Sequence, residues 1–193
     1  LLTVAEFVAL LLCKMPVYDS LVNSFATAGT GGFSVLNSSV GGYNNPAAEW
    51  VIAIFMFIFG VNFNLYYFVL IGKAREIFKS EEFRVYSAIC LVSTAAIVVN
   101  TVSLSERLGD CIRDAFFQVA SIISTSGFAT LDYDAAWPEF SKMILILLTL
   151  TGACAGSTAG GLKLSRVIIV VKGILCQIRQ ILRPHSVNVV RID

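Results

Sequence analysis

Two stretches gather residues whose types and spacing can handle an ion. They are Thr30, Gly31, Gly32 and Phe33 within "FATAGTGGFSVLN", and Thr125, Ser126, Gly127 and Phe128 within "IISTSGFATLD". Glycine reaches φ values closed to other residues, so successive backbone carbonyls can be turned toward one axis. Rings of such carbonyls replace the hydration shell of a monovalent cation in potassium channels. Placing Gly32 over Gly127, 95 positions later, also aligns Thr30 with Thr125, Phe33 with Phe128 and Leu36 with Leu131. Glycine at a turn needs no function, so either stretch alone reads equally well as an ordinary loop. Two in register, with the same order of elements around each, favour an ion path.

A third cluster, "TGACAGSTAGGLK", holds Gly152, Gly156, Ser157, Thr158, Gly160, Gly161 and Lys163. An interior glycine costs about 1 kcal/mol of helix propensity relative to alanine, so the helix is expected to break here. Small residues at four-residue spacing also suit close helix contact, which is the competing reading. A phosphate loop is excluded, because Leu162 separates Gly161 from Lys163. Asn62 lies in the middle of an uncharged run, where a polar side chain commonly faces a bundle interior or a cavity. It is expected to face the ion path, with hydrogen bonding between helices as the alternative. Glu49 and Glu139 are expected to cap inner helices at their outer ends.

The elements that position these residues are apolar. Of 193 residues 56% are hydrophobic and 14% charged, against roughly 25% charged in soluble domains, and the mean hydropathy is +0.79. Residues 50–72 and 85–105 carry no charge, and each reaches the roughly 20 residues that span a bilayer. Neither has a polar face, so an integral, multi-pass membrane protein is expected. The net charge of +1 offers no surface for nucleic acid. Five scattered cysteines lack metal-ligand spacing. The single histidine, His185, lies beyond the last apolar stretch, and no nucleophile sits beside a base within the spans, so no enzyme is expected.

Lys73, Arg75, Lys79 and Arg84 mark the cytoplasmic side. Arg107 and Arg113, balanced by Glu106, Asp110 and Asp114, mark the outer side. Lys163, Arg166, Lys172, Arg179 and Arg183 return to the inside. Residues 17–29 and 111–124 are too short to cross and run into the two glycine turns, so both read as re-entrant helices. Their C-terminal, partly negative ends would aim at mid-membrane and favour a cation. The expected fold is an all-α membrane protein of repeated units, transmembrane helix, re-entrant pore helix and transmembrane helix, like potassium-channel pore modules.

The motifs "SFATAGTGGFS", "GVNFNLYY", "FQVASIISTSGFATLDYDAAWP" (one Ala longer than the family pattern) and, most specifically, "GACAGSTAGGLKLSR" resemble the Trk/Ktr/HKT superfamily of cation transporters. Within it the chain is most similar to bacterial TrkH-type potassium uptake proteins. The resemblance implies the second and third of four pore repeats, and thus a fragment. Residues 1–73 would form the second repeat (the end of its outer helix, pore helix and filter 17–36, inner helix 49–73), and 74–84 a cytoplasmic loop. Residues 85–173 would form the third (outer helix 85–105, pore helix and filter 111–131, broken inner helix 138–173), and 174–193 a cytoplasmic linker. It further implies that Thr30, Gly31, Gly32, Thr125, Ser126 and Gly127 line a selectivity filter with Phe33 and Phe128 packed behind it. Gly152 to Gly161 would form a gate loop, with Lys163 at the cytoplasmic mouth. Potassium would be the transported ion, without a cofactor, in the bacterial inner membrane. The partners implied are lipid, a second copy in a homodimer, and a nucleotide-binding regulatory subunit of the TrkA/KtrA kind. Sodium or mixed cation transport, symport, and solute transport through discontinuous helices stay open.

Overall fold

The computed structural model describes residues 1–73, 75–104 and 107–182. Among them the regular elements are α1 (Leu2–Leu12), α2 (Val17–Ala28), a 3-10 turn (Ser39–Tyr43), α3 (Pro46–Phe59), α4 (Phe63–Leu70), α5 (Arg75–Lys79), α6 (Glu81–Thr101), α7 (Leu108–Ile123), α8 (Tyr133–Ala136), α9 (Glu139–Leu150) and α10 (Leu164–Leu182). No strand occurs among the described residues, only an isolated parallel bridge between Thr151 and Leu162. Glu106, Arg183 and His185, and the expected linker beyond residue 182, lie outside the described residues.

Local chemistry sets the helix starts. Asn45 accepts a hydrogen bond from the Ala48 amide at 3.3 Å, and Pro46 opens the first turn of α3. The Asn45 amide also donates to the Cys13 carbonyl at 2.7 Å, which ties the end of α1 to that start. Ser80 caps α6 through the Phe83 amide, with Glu81 and Glu82 in the first turn. Two apolar clusters follow. One joins α6, α7 and α9 to the segment after α9, through Tyr86, Cys90, Val119, Leu145 and Ala153. The other packs α1 and α3 against α7, through Leu10, Ile52, Met56, Phe117 and Phe128. Helix α7 therefore takes part in both.

Polarity is inverted relative to a water-soluble helix. Helix α6 exposes Leu91, Val92 and Val99 and buries Ser93, Thr94 and Thr101. It is the one described helix long and apolar enough to cross a membrane by itself.

The expected span 50–72, or inner helix 49–73, is not continuous: it breaks after Phe59, and α3 and α4 meet at 96°. Gly60 allows the break by close packing. A Cβ there would lie 2.2 Å from the Tyr86 hydroxyl and 3.2 Å from the Ala153 methyl. The outer helix expected over 85–105 runs instead from 81 to 101, because Ser80 caps it early. The expected cytoplasmic loop 74–84 is largely helical, as α5 and the start of α6. The linker expected from 174 is still helix α10 through residue 182.

Gly60 has ordinary helical φ and ψ, so a methyl group there acts through sterics alone. Gly60→Ala is expected to cost about 1–3 kcal/mol, read as a lower thermal unfolding midpoint of the intact protein in detergent. Tyr86→Phe, placed in the same chain, removes the nearest clashing atom and should restore part of that loss.

Candidate functional site

Helices α2 and α7 end in the same way, bond for bond. After α2 the Gly29 amide donates to Phe25 (2.9 Å), Thr30 to Thr27 (3.2 Å) and Gly31 to Ala26 (2.8 Å). After α7 the Ser124 amide donates to Ala120 (3.1 Å), Thr125 to Ile122 (3.0 Å) and Ser126 to Ser121 (2.9 Å). Each set keeps the 95-residue register and forms a Schellman-type helix stop. Such a stop needs a left-handed residue, usually glycine, yet threonine fills it in both copies, with φ of 50° at Thr30 and 56° at Thr125. A β-branched residue is an outlier there, and such strain persists only where the surroundings over-determine it. Two residues on, Gly32 and Gly127 again have positive φ, 69° and 86°. Reversing the sign of φ at every other residue brings neighbouring carbonyls toward one face instead of alternating them as in an extended strand.

The two turns abut. An added Cβ on Gly32 would lie 2.1 Å from the Ser126 carbonyl oxygen. Beyond the first turn, the Gly41 amide donates to the Ala129 carbonyl at 3.2 Å and the Ser39 hydroxyl accepts from the Ala129 amide at 3.2 Å. In the first turn the Thr30 hydroxyl donates to the Gly29 carbonyl at 2.8 Å, whereas serine side chains brace the second. Ser121 Oγ donates to the Phe128 carbonyl at 2.6 Å, and the Ser124 and Ser126 hydroxyls pair at 2.8 Å. Their counterparts in the first turn are Ala26, Gly29 and Gly31, which have no hydroxyl. The phenylalanines differ as well. Phe128 is buried against α1 and α3, whereas Phe33, expected to pack behind its turn, is 81% exposed. The reason is positional: the surface covering Phe128 comes from the repeat before it, and the described residues place no such surface over Phe33.

Between α9 and α10 the chain forms a closed loop directly against the two threonines. Its neck is drawn together by Gly152 N–H to Leu162 C=O (2.8 Å) and Leu164 N–H to Ala153 C=O (3.1 Å). At the tip, the Thr30 hydroxyl lies 3.3 Å from the Thr158 carbonyl, and the Thr125 hydroxyl accepts from the Gly160 amide at 2.7 Å. Further tethers run to the broken helix pair. Cys154 N–H donates to Gly60 C=O at 3.0 Å, Phe63 N–H to Gly156 C=O at 3.1 Å and the Thr158 hydroxyl to Phe59 C=O at 3.4 Å. The Glu82 carboxylate accepts from the Ala155 amide at 2.6 Å.

Three of the expected residues have specific partners. Asn62, expected to face the ion path, caps α4 by accepting from the Asn64 amide at 2.9 Å, because the break at Gly60 turns it into a helix start. Lys163, expected at the cytoplasmic mouth, folds back and donates to the Ser157 and Ala159 carbonyls, filling the loop with its own ammonium. Glu49 lies in the first turn of α3, as expected, and its carboxylate, 7% exposed, also pairs with Arg113 at 2.7 Å, joining α3 to α7. Glu82 was not foreseen as a site residue, since an acidic residue in a helix first turn is ordinary.

A family model described as cation transport protein, TrkH, matches residues 3–102 and 88–193. The Trk system potassium uptake protein TrkH of Salmonella typhimurium is 34% identical over all of this chain, and the TrkG protein of Escherichia coli K12 is 33% identical over 98% of it. The chain spans about 40% of the length of these relatives. The crystal structure of the potassium transporter TrkH from Vibrio parahaemolyticus superposes with a TM-score of 0.92 at 28% identity, over 99% of this chain and 42% of that one.

The neighbours of the two glycines separate their expected responses. Alanine at either position adopts positive φ at about 1–2 kcal/mol. Gly127 has open space around an added Cβ, whereas Gly32 meets the Ser126 backbone. Gly32→Ala should therefore lower the thermal midpoint and the folded yield of the intact protein more than Gly127→Ala does. The reverse order would contradict the contact between the two turns.

Proposed function

The chain belongs to the TrkH family of cation transport proteins, an all-helical family of membrane proteins rather than enzymes, and from that premise we propose that it forms part of a potassium uptake path. The observation carrying this reading is the duplicated Schellman stop with threonine in the left-handed position. Carbonyls of Thr30, Gly31, Gly32, Thr125, Ser126 and Gly127 would take the place of water around a dehydrated potassium ion. The C-terminal ends of α2 and α7 abut these turns, so their partial negative charge stabilises a cation there. Potassium is the cargo, and no cofactor is needed for its passage.

The loop 151–163 is the gate in this reading. It lies against both threonine hydroxyls, and a path along the turns requires it to move. Glycines 156 and 161, both at φ of 71°, give the loop backbone conformations that other residues adopt only with strain. The names of the relatives support potassium as the ion. Assembly with further repeats, pairing into a homodimer, control by a cytoplasmic nucleotide-binding subunit, ion-coupled symport and residence in the bacterial inner membrane belong to the same proposal.

Rubidium and sodium uptake by the intact protein, in a strain lacking its own potassium uptake systems, tests the reading. Gly127→Ser should reduce selectivity for rubidium over sodium about tenfold, the effect of about 1.4 kcal/mol of differential stabilisation. Unchanged selectivity would make the duplicated turn a packing feature and remove the basis of the proposal.

A further inference from the structure

We propose that Glu82 is a positioning residue that holds the loop 151–163 closed and makes it answer to the cytoplasmic segment 75–80. The inference rests on the reading of that loop as a gate. Among the tethers described for the loop, Glu82 to Ala155 is the one whose acceptor is a carboxylate, at 2.6 Å and across 73 residues of chain. Hydrogen bonds to ionised groups are shorter and stronger than neutral ones. The remaining tethers use backbone groups or threonine hydroxyls.

The placement of Glu82 gives this bond its second property. It sits in the first turn of α6, capped by Ser80, directly after α5. Its neighbour Glu81 pairs with Lys172 on α10, the helix leaving the loop. One helical turn thus grips both the loop tip and the helix that follows it. A cavity of about 480 Å³ opens beside this turn, lined among others by Asn62, Asn64, Glu76, Lys79 and Glu82. Asn62 borders Gly156, whose added Cβ would lie 3.0 Å from the Asn62 side-chain oxygen. Residues 155 and 156 are therefore approached by two side chains that line the same cavity, and α5 forms part of its wall. Any shift of α5 or of the start of α6 moves the carboxylate relative to the Ala155 amide and loosens the loop.

Cys154 supplies a readout independent of ion flux, since it precedes Ala155 and is fully buried. In the intact protein reconstituted in vesicles, with every other cysteine replaced by serine or alanine, thiol labelling of Cys154 reports loop release. Glu82→Ala should raise both the labelling rate and the rubidium flux about tenfold. Glu82→Gln keeps an acceptor oxygen without the charge and should fall between Glu82→Ala and the parent. Selectivity for rubidium over sodium should stay that of the parent in both. In a background with the loop tip shortened, Glu82→Ala should change flux no further. Unaltered Cys154 protection in both variants would overturn the latch, whatever the flux. Faster labelling with unaltered flux would show that Glu82 holds a loop that does not obstruct the path, and would overturn the gate reading beneath it. A flux increase that persists in the shortened-loop background would assign Glu82 a role elsewhere and overturn the proposal.

Discussion

Lipid supplies no hydrogen bonds, so every backbone group freed from a helix at membrane depth must find a partner in protein or trapped water. That requirement organises this chain. The break at Gly60 frees the Gly60 carbonyl and the Phe63 amide, and the break between α9 and α10 frees the Cys154 amide and the Gly156 carbonyl. The two breaks satisfy each other. Neither interruption would be stable with the other helix continuous, which is why an apolar run without charge nonetheless bends through 96°. The threonine hydroxyls at the ends of α2 and α7 extend the same principle, meeting polar groups of the loop where no regular structure reaches them.

How much of this is legible in the sequence depends on the range of the interaction. The duplicated turn reads directly, because a Schellman stop is made by residues within one short stretch and its register of 95 survives in four identities. The interruption at Gly152 to Gly161 reads from glycine density. The bend at Gly60 does not, since hydropathy counts charge and sees none there. Its one trace was the pair Asn62 and Asn64, whose polarity marked a helix start. The helix hidden in 75–79 was masked by a charge-rich stretch, in which Glu76 and Lys79 pair along one face at 2.7 Å. Glu82 was beyond reach for a different reason: its partner is a backbone amide 73 residues away, and a backbone amide leaves no mark in a sequence.

Identity of residues does not bring identity of surroundings. Phe33 and Phe128 occupy equivalent positions, yet one ring is exposed and the other buried, because α1 and α3 cover Phe128 and the described residues place no such surface over Phe33. The serine hydroxyls at 121, 124 and 126 give the second turn hydrogen bonds that Ala26, Gly29 and Gly31 cannot make in the first. Two copies of one motif have thus been differentiated by side chains that lie behind the turn and leave its backbone geometry the same.

The neck at Gly152 and Leu162 has a mechanical consequence. Because the two strands of the loop are joined where they leave α9 and α10, the ends of those helices keep their separation whatever the loop tip does. Tension or thickness changes in the surrounding bilayer act on the lipid-facing surfaces of the helices, and from α9 and α10 they reach the tip only through that pinned junction. The neck insulates the tip from strain in the two helices it joins, leaving its position to the hydrogen bonds that α6 and the broken pair α3 and α4 make with the loop.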